Sequence, residues 1–228
     1  MSKYKDKIKK LPRVTLDTIS EVCRGMLPEA YKDHPWLLPY GDKNYAKIFD
    51  QEDELNGYAA AYTDWHKGKL RIAFDHMPTD TFVGEIAVID WACGQGLATI
   101  FLHEYLKEKG YNCRIKEVIL VEPSEKALDR AKFNIEAIDS KIKVSTVNKK
   151  LDEVIDFDIK LFEKRKAVHL FSNIFDIQGI SLKHITENLL VNLSKDNYII
   201  CVSPYYQQVE SRYNTFLQYF QRPLACQF

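Results

Sequence analysis

Glu85-Ile-Ala-Val-Ile-Asp90-Trp-Ala-Cys-Gly94-Gln-Gly96 is the stretch on which the reading of this chain turns. Ile86 to Trp91 is a short apolar run of strand character that carries an acid, Asp90, and gives way to Ala92, Cys93, Gly94, Gln95 and Gly96. Gly94 and Gly96 reach backbone angles closed to other residues and let a ligand approach the main chain, and Ala92 is the next smallest choice. Leu97 to Lys109 then has helical spacing, so the positive end of its dipole faces back onto the turn. A strand, a glycine turn and a helix in that order place a ligand beyond the carboxyl end of the strand.

Working outward, the candidate strands Glu117 to Glu122, Ile142 to Val147, Ala167 to Ser172 and Tyr198 to Ser203 alternate with amphipathic segments, the pattern of a parallel sheet built from strand-helix units. Leu128, Ala131, Ile135 and Ile138 mark one buried stripe, and Leu182, Ile185, Leu189 and Leu193 another, with Ser124 and Ser181 placed to cap those helices. Val209, Tyr213, Phe216 and Phe220 mark a final helix.

Upstream, residues 14 to 78 read as helical. Leu16, Ile19, Cys23 and Met26 follow a cap at Thr15, and Pro28, Pro35 and Pro39 break the pattern around Trp36-Leu37-Leu38. A second helix over 52 to 76 puts Leu55, Tyr58, Tyr62 and Trp65 on one face. Tyr58, Tyr62 and His66 form a polar-tipped stripe there, read as a packed core face. The division expected is a helical extension over 1–80 and a Rossmann-like domain over 81–228.

The 228 residues carry 32 basic and 32 acidic side chains, which leaves no overall pull toward nucleic acid or an anionic membrane. Lys3, Lys5, Lys7, Lys9, Lys10 and Arg13 stand against Asp6 alone, a run that reads as a solvated, disordered terminus. Cys23, Cys93, Cys113, Cys201 and Cys226 form no CxxC pair, which fits reduced thiols in a cytoplasmic protein. No stretch approaches the roughly 18 apolar residues of a membrane span. His34, His66, His76, His103, His169 and His184 show no metal-ligand spacing, so no metal is expected.

The strand and turn from Glu85 to Gly96 resemble the first motif of the class I S-adenosylmethionine-dependent methyltransferases, with Ala92 where the family usually has glycine. Val118-Ile-Leu-Val-Glu122-Pro-Ser-Glu-Lys-Ala127 resembles the next element, an acid closing the second strand. The resemblance implies an α/β fold with strand order 3-2-1-4-5 and S-adenosylmethionine as cofactor. It assigns Asp90, Ala92, Cys93, Gly94 and Gly96 to the cofactor loop, Glu122 to the two ribose hydroxyls and Asn148 to the adenine. A carboxylate suits paired hydroxyl donors because it offers two charged acceptor oxygens. The rival, a nicotinamide dinucleotide motif over Gly94, Gly96 and Thr99, fits poorly, since a side chain at the third position obstructs close helix-strand packing. An acid in the turn also favours a cationic ligand over a pyrophosphate. Cys93, at a helix start, could serve as a nucleophile but has no assignable histidine partner, and reads as a small residue in a tight turn.

The family's strand order sets the end of the fourth strand beside the glycine loop. Ser172 and Asn173 are therefore the candidates for groups facing the transferable methyl, although the amine-orienting tetrapeptide of many relatives is absent, and Ser203-Pro204-Tyr205-Tyr206 follows the wrong strand. The acceptor, whether small molecule, protein or RNA, is open, and a non-catalytic cofactor-binding or assembly domain is the alternative function. The family usually ends in two further antiparallel strands. Arg222 to Phe228 leaves room for one at most, so a fragment or a shortened variant is expected, with a sheet edge open to self-association.

Overall fold

The computed structural model describes residues 2–38, 48–155, 158–159, 165–177, 179–186, 196–204 and 207–221. Helices α1 (Ser2–Lys9), α2 (Leu16–Arg24), α3 (Glu29–Lys32) and α4 (Glu52–Asp75) precede strand β1 (Gly84–Trp91). Then follow α5 (Leu97–Glu108), β2 (Cys113–Val121), α6 (Glu125–Ile138), β3 (Lys143–Val147), β4 (Lys166–Ser172), the single turn α7 (Leu182–His184), β5 (Asn197–Val202) and α8 (Gln207–Gln221). The five strands pair in the order β3-β2-β1-β4-β5, every pair parallel. This is the order the resemblance implied. The chain leaves β1 toward β2 on one side and returns to β4 on the other, so the topological switch point falls between β1 and β4.

Both sheet faces are covered, which is why β1 and β4 read as nearly continuous apolar runs. Alternation sorts the side chains: Ile86, Val88, Val168 and Leu170 join one core with Leu97, Phe101, Leu128, Ala131 and Ile135 of α5 and α6. Ile89, Trp91 and Phe171 join the other with Phe175, Leu182, Ile185, Val209 and Phe216. Trp91 lies parallel to Phe171 at 5.7 Å between ring centres. The caps expected from sequence are present: Thr15 and Thr18 form a capping box, and Ser124 and Ser181 accept from Ala127 N–H and His184 N–H at 3.1 Å. Leu189 and Leu193, Tyr205 and Tyr206, and Arg222 to Phe228 lie outside the described residues. After β5 the described chain is helical.

Two expectations need correction. The lysine-rich start is an ordered helix: Tyr4 and Ile8, one turn apart, are fully buried in the same core as the sheet, while the lysines face outward. On α4, Trp65 does not share the buried face and is 74% exposed. The buried stripe is instead Asn56, Ala59, Ala60, Thr63, His66, Leu70 and Phe74. Leu55 is buried as expected, and small residues at the centre of the stripe let the helix lie close to its neighbours, while Trp65 and Ile72 are turned outward. The N-terminal helices thus form one layer of a continuous core.

Candidate functional site

The turn after β1 is built from positive backbone angles. Ala92, Gly94 and Gly96 have φ of 52°, 52° and 76°. Gly96 is doubly constrained, because a Cβ there would lie 3.2 Å from Ala131 Cβ, whereas Gly94 has no atom within 4 Å of that position and faces open space. Cys93 N–H donates to Val121 O at 2.9 Å and Gly96 N–H to Cys93 O at 2.8 Å, so the loop continues the β1–β2 ladder before closing on itself. Burial pushes the Cys93 thiol well above its ordinary value, and the nearby carboxyls of Asp90 and Glu122 add to the rise. A thiol held protonated is no nucleophile, which leaves Cys93 the packing role read from sequence.

Glu122 stands at the carboxyl end of β2, directly across the loop. Its Oε2 accepts from Gly94 N–H at 3.0 Å and its Oε1 from Ser124 N–H at 2.9 Å. One carboxylate thus secures the start of α6 and is tied to the glycine turn. Burial raises its proton affinity and the two backbone donors oppose that rise. Two N–H donors occupy two of about four lone-pair sites, so acceptor capacity remains. Asn148 Nδ2 donates to Glu122 O and Pro123 O, each at 2.9 Å, and so staples the β3 loop to the same corner.

Asp90 is buried on the α5 side of the sheet. Oδ2 accepts from Thr99 Oγ1 at 2.7 Å, and Oδ1 is buried with no hydrogen-bond partner among the described residues. Burial pushes this carboxyl up to about 7, against the Thr99 hydrogen bonds. Thr99, where a dinucleotide motif would want its third glycine, serves here to hold the acid.

Ser172 and Asn173 end β4 on the other side of the switch point, and Asn173 has φ 57°. The Asn173 carboxamide is turned toward α4: Lys69 Nζ donates to its Oδ1, and its Nδ2 lies 2.6 Å from His66 Nδ1. Because an ammonium can only donate, Oδ1 must face Lys69 and Nδ2 must donate to His66. His66 is then protonated on Nε2, which donates to the Tyr58 hydroxyl at 3.0 Å. Burial and the Lys69 charge hold His66 down to about 3, keeping the imidazole neutral. Burial lowers Lys69 as well. The tyrosine-histidine stripe thus packs against the end of β4 through His66 and Asn173, a pairing that no local spacing could reveal across 107 positions.

Sequence reasoning also missed the support behind the loop. Gln95 donates from Nε2 to Leu55 O at 2.8 Å and accepts at Oε1 from Arg130 Nη1 at 3.1 Å. A signal existed: Arg130 and Asn134 fall within the apolar stripe of α6 at helical spacing, and polar residues on a core face imply buried partners.

No family model matches the chain, and no curated protein matches it. Solved structures do. The chain is similar to an S-adenosylmethionine-dependent methyltransferase from Leishmania major at 12% identity, over 76% of this chain and 68% of that one, with a TM-score of 0.46. It is also similar to a chain of the complex between the Haloferax volcanii Trm112 methyltransferase activator and a methyltransferase, at 18% identity, 68% and 62% coverage and a TM-score of 0.43. A geranyl diphosphate methyltransferase in complex with GPP and sinefungin gives 12% identity, 61% and 45% coverage and a TM-score of 0.36. The chain spans less than two thirds of the length of the last two. The sheet has the class I methyltransferase strand order. Among the described residues no helix is long and apolar enough to cross a membrane, and no cluster of histidine, cysteine or acidic side chains is arranged to hold a metal ion.

Proposed function

We propose that this chain binds S-adenosylmethionine at the Asp90–Gly96 loop and transfers its methyl group to an acceptor entering over the carboxyl ends of β1 and β4. One observation carries the reading: the glycine turn and the Glu122 carboxylate are joined by a hydrogen bond beyond the carboxyl ends of β1 and β2, so an acid for hydroxyl donors and an open backbone form one surface. The residues fit such a ligand. Glu122 keeps acceptor capacity for paired ribose hydroxyls, Gly94 leaves room for close approach, and Asp90 Oδ1 is a buried acceptor lacking a partner on the cationic side. Asn148 borders the adenine end, and the fixed Lys69-Asn173-His66-Tyr58 chain lines the acceptor end.

S-adenosylmethionine supplies an already activated methyl, so the protein's task is alignment and exclusion of water. Ser172 and Asn173 bound the place where the acceptor meets it. A cytoplasmic setting, drawn from the cysteine pattern, accompanies this reading. A second reading, a cofactor-binding domain without turnover, is favoured by the Asn173 side chain, whose two polar ends are already engaged by Lys69 and His66 instead of facing an acceptor.

Isothermal titration with S-adenosylmethionine tests the binding site. Glu122→Ala removes charged acceptors worth about 1.5–3 kcal/mol each, so affinity is expected to fall at least about tenfold. Wild-type binding that survives this substitution unchanged would refute the ribose assignment, and absence of wild-type binding would refute both readings. Transfer of labelled methyl from the cofactor in a cell extract separates the enzyme from the non-catalytic domain.

A further inference from the structure

The cofactor loop is held from behind by one buried guanidinium. Arg130 of α6 is 0% exposed. Its Nη1 donates to Asn56 Oδ1 at 2.9 Å and to Gln95 Oε1 at 3.1 Å, and its Nη2 to Glu52. The Tyr4 ring lies 4.1 Å from its Cζ, and Cys23 Sγ is 4.0 Å from Nη1. A single side chain thus touches α1, α2, the first turns of α4, and the glycine turn. Only arginine can do this, because its planar fork sends several donors in fixed, diverging directions, whereas an ammonium is a compact point charge.

Gln95 is the only residue between Gly94 and Gly96, and it is 3% exposed. Glycines on both sides leave the peptide planes free to rotate, so the one side chain between them sets their orientation. It is gripped at three points: Oε1 by Arg130, Nε2 by Leu55 O, and its backbone carbonyl by Asn134 Nδ2 at 3.4 Å. Ala131, beside Arg130, is the residue against which Gly96 packs. Helix α6 therefore fixes both the position and the rotation of the turn.

We propose that Arg130 is a positioning residue for the cofactor: acting through Gln95, it pre-sets the Gly94–Gly96 peptides for S-adenosylmethionine and makes cofactor affinity depend on the docked N-terminal helices. The proposal rests on the cofactor site proposed above. A turn already held in its binding conformation loses less freedom when the ligand arrives, and that difference appears as affinity.

The test is a double-mutant cycle read in the dissociation constant for S-adenosylmethionine, with Arg130→Met, Gln95→Leu and the pair together. Each single substitution is expected to weaken binding about tenfold, and the double also about tenfold, since either change cuts the same connection. A double near a hundredfold, or singles that bind as wild type, would overturn the proposal. Leu70→Ala serves as the control for general loosening of α4, where Leu70 is buried away from Gln95; it lowers the unfolding midpoint and leaves affinity unchanged. Equal loss of affinity in Leu70→Ala would also overturn the proposal.

Amide hydrogen exchange of the ligand-free protein gives a readout that does not depend on the cofactor. Gly94 N–H and Gly96 N–H, both hydrogen-bonded in the turn, should exchange about tenfold faster in Gln95→Leu and not in Leu70→Ala. Gln95→Leu breaks only the loop side of the connection, so it keeps both readouts available should Arg130→Met not fold. Failure of the wild type to bind S-adenosylmethionine defeats the cofactor reading. Unchanged loop exchange with normal wild-type binding defeats the Arg130 proposal alone.

Discussion

Replacing either glycine of the cofactor turn by alanine separates the two constraints that the turn satisfies. At Gly96 the φ of 76° costs an L-residue about 1–2 kcal/mol in the left-handed region. The new Cβ would also sit 3.2 Å from Ala131 Cβ and 3.4 Å from Ala131 Cα, inside the roughly 3.5–4.0 Å optimum for carbon contacts. Neither atom can swing aside, because both are fixed to the α6 backbone, and overpacking of this kind costs about 1–3 kcal/mol. Gly96→Ala should therefore lose about 2–5 kcal/mol, a fall in Tm on the order of 10 °C for a chain of this length. Gly94→Ala carries the strain of φ 52° but meets no atom within 4 Å, so about 1–2 kcal/mol and a few degrees are expected. The order reverses for the proposed ligand: Gly94→Ala places a methyl in the open space over which we propose the cofactor approaches, and should weaken S-adenosylmethionine binding at least tenfold. Denaturant unfolding and isothermal titration on the same two variants check this. Equal destabilisation by both, or unaltered affinity in a folded Gly94→Ala protein, would refute the geometry assigned to the turn.

Two further outcomes follow from side chains near that turn. Asp90, raised to about 7 by burial, holds a proton in the folded chain that the unfolded chain releases near pH 4, so its contribution to stability falls as pH rises from about 4 to about 7. Asp90→Asn should remove that slope from the difference between the two unfolding curves. On the proposed role of Asp90 it should also abolish a rise in cofactor affinity between pH 5.5 and 7, where the wild type gains the carboxylate that would face the cofactor's positive charge; a wild-type affinity flat over that range would count against that role. At the N-terminus, Tyr4→Ala should cost about 3–5 kcal/mol by denaturant unfolding, since the ring is fully buried, covers Arg130 and donates to Asn134 Oδ1 at 2.8 Å. A loss below 0.5 kcal/mol would mark the terminus as solvated after all.

The sheet was legible because its strands are short, and those buried on both faces write themselves as unbroken apolar runs. Ile86 to Trp91 and Ala167 to Ser172 lie within the observed β1 and β4, short of their starts by one or two residues. The glycine turn was legible for a local reason too, since small residues at alternate positions have few other uses. What could not be read was whatever depends on contact between distant elements. The lysines at 3, 5, 7 and 9 masked Tyr4 and Ile8, because two apolar residues one turn apart make a weak signal in eight residues. Trp65 misled because the middle of the buried α4 face is built from Ala59, Ala60 and Thr63, so the large side chain there is not the buried one. Ser172 and Asn173 were placed correctly at the end of β4, yet the direction of the Asn173 carboxamide depends on Lys69 and His66, more than a hundred residues away.

That direction ties the two halves of the site together. Helix α4 holds the cofactor turn at its first turns, through Leu55 O on Gln95 and Asn56 on Arg130, and holds the end of β4 farther along, through His66 and Lys69 on Asn173. The two grips are separated by about ten residues of uninterrupted helix, some 15 Å at 1.5 Å per residue. Both grips belong to the same continuous helix. The proposed cofactor loop and the proposed acceptor wall are thus both contacted by α4. They are two contacts of one helix, made through different residues.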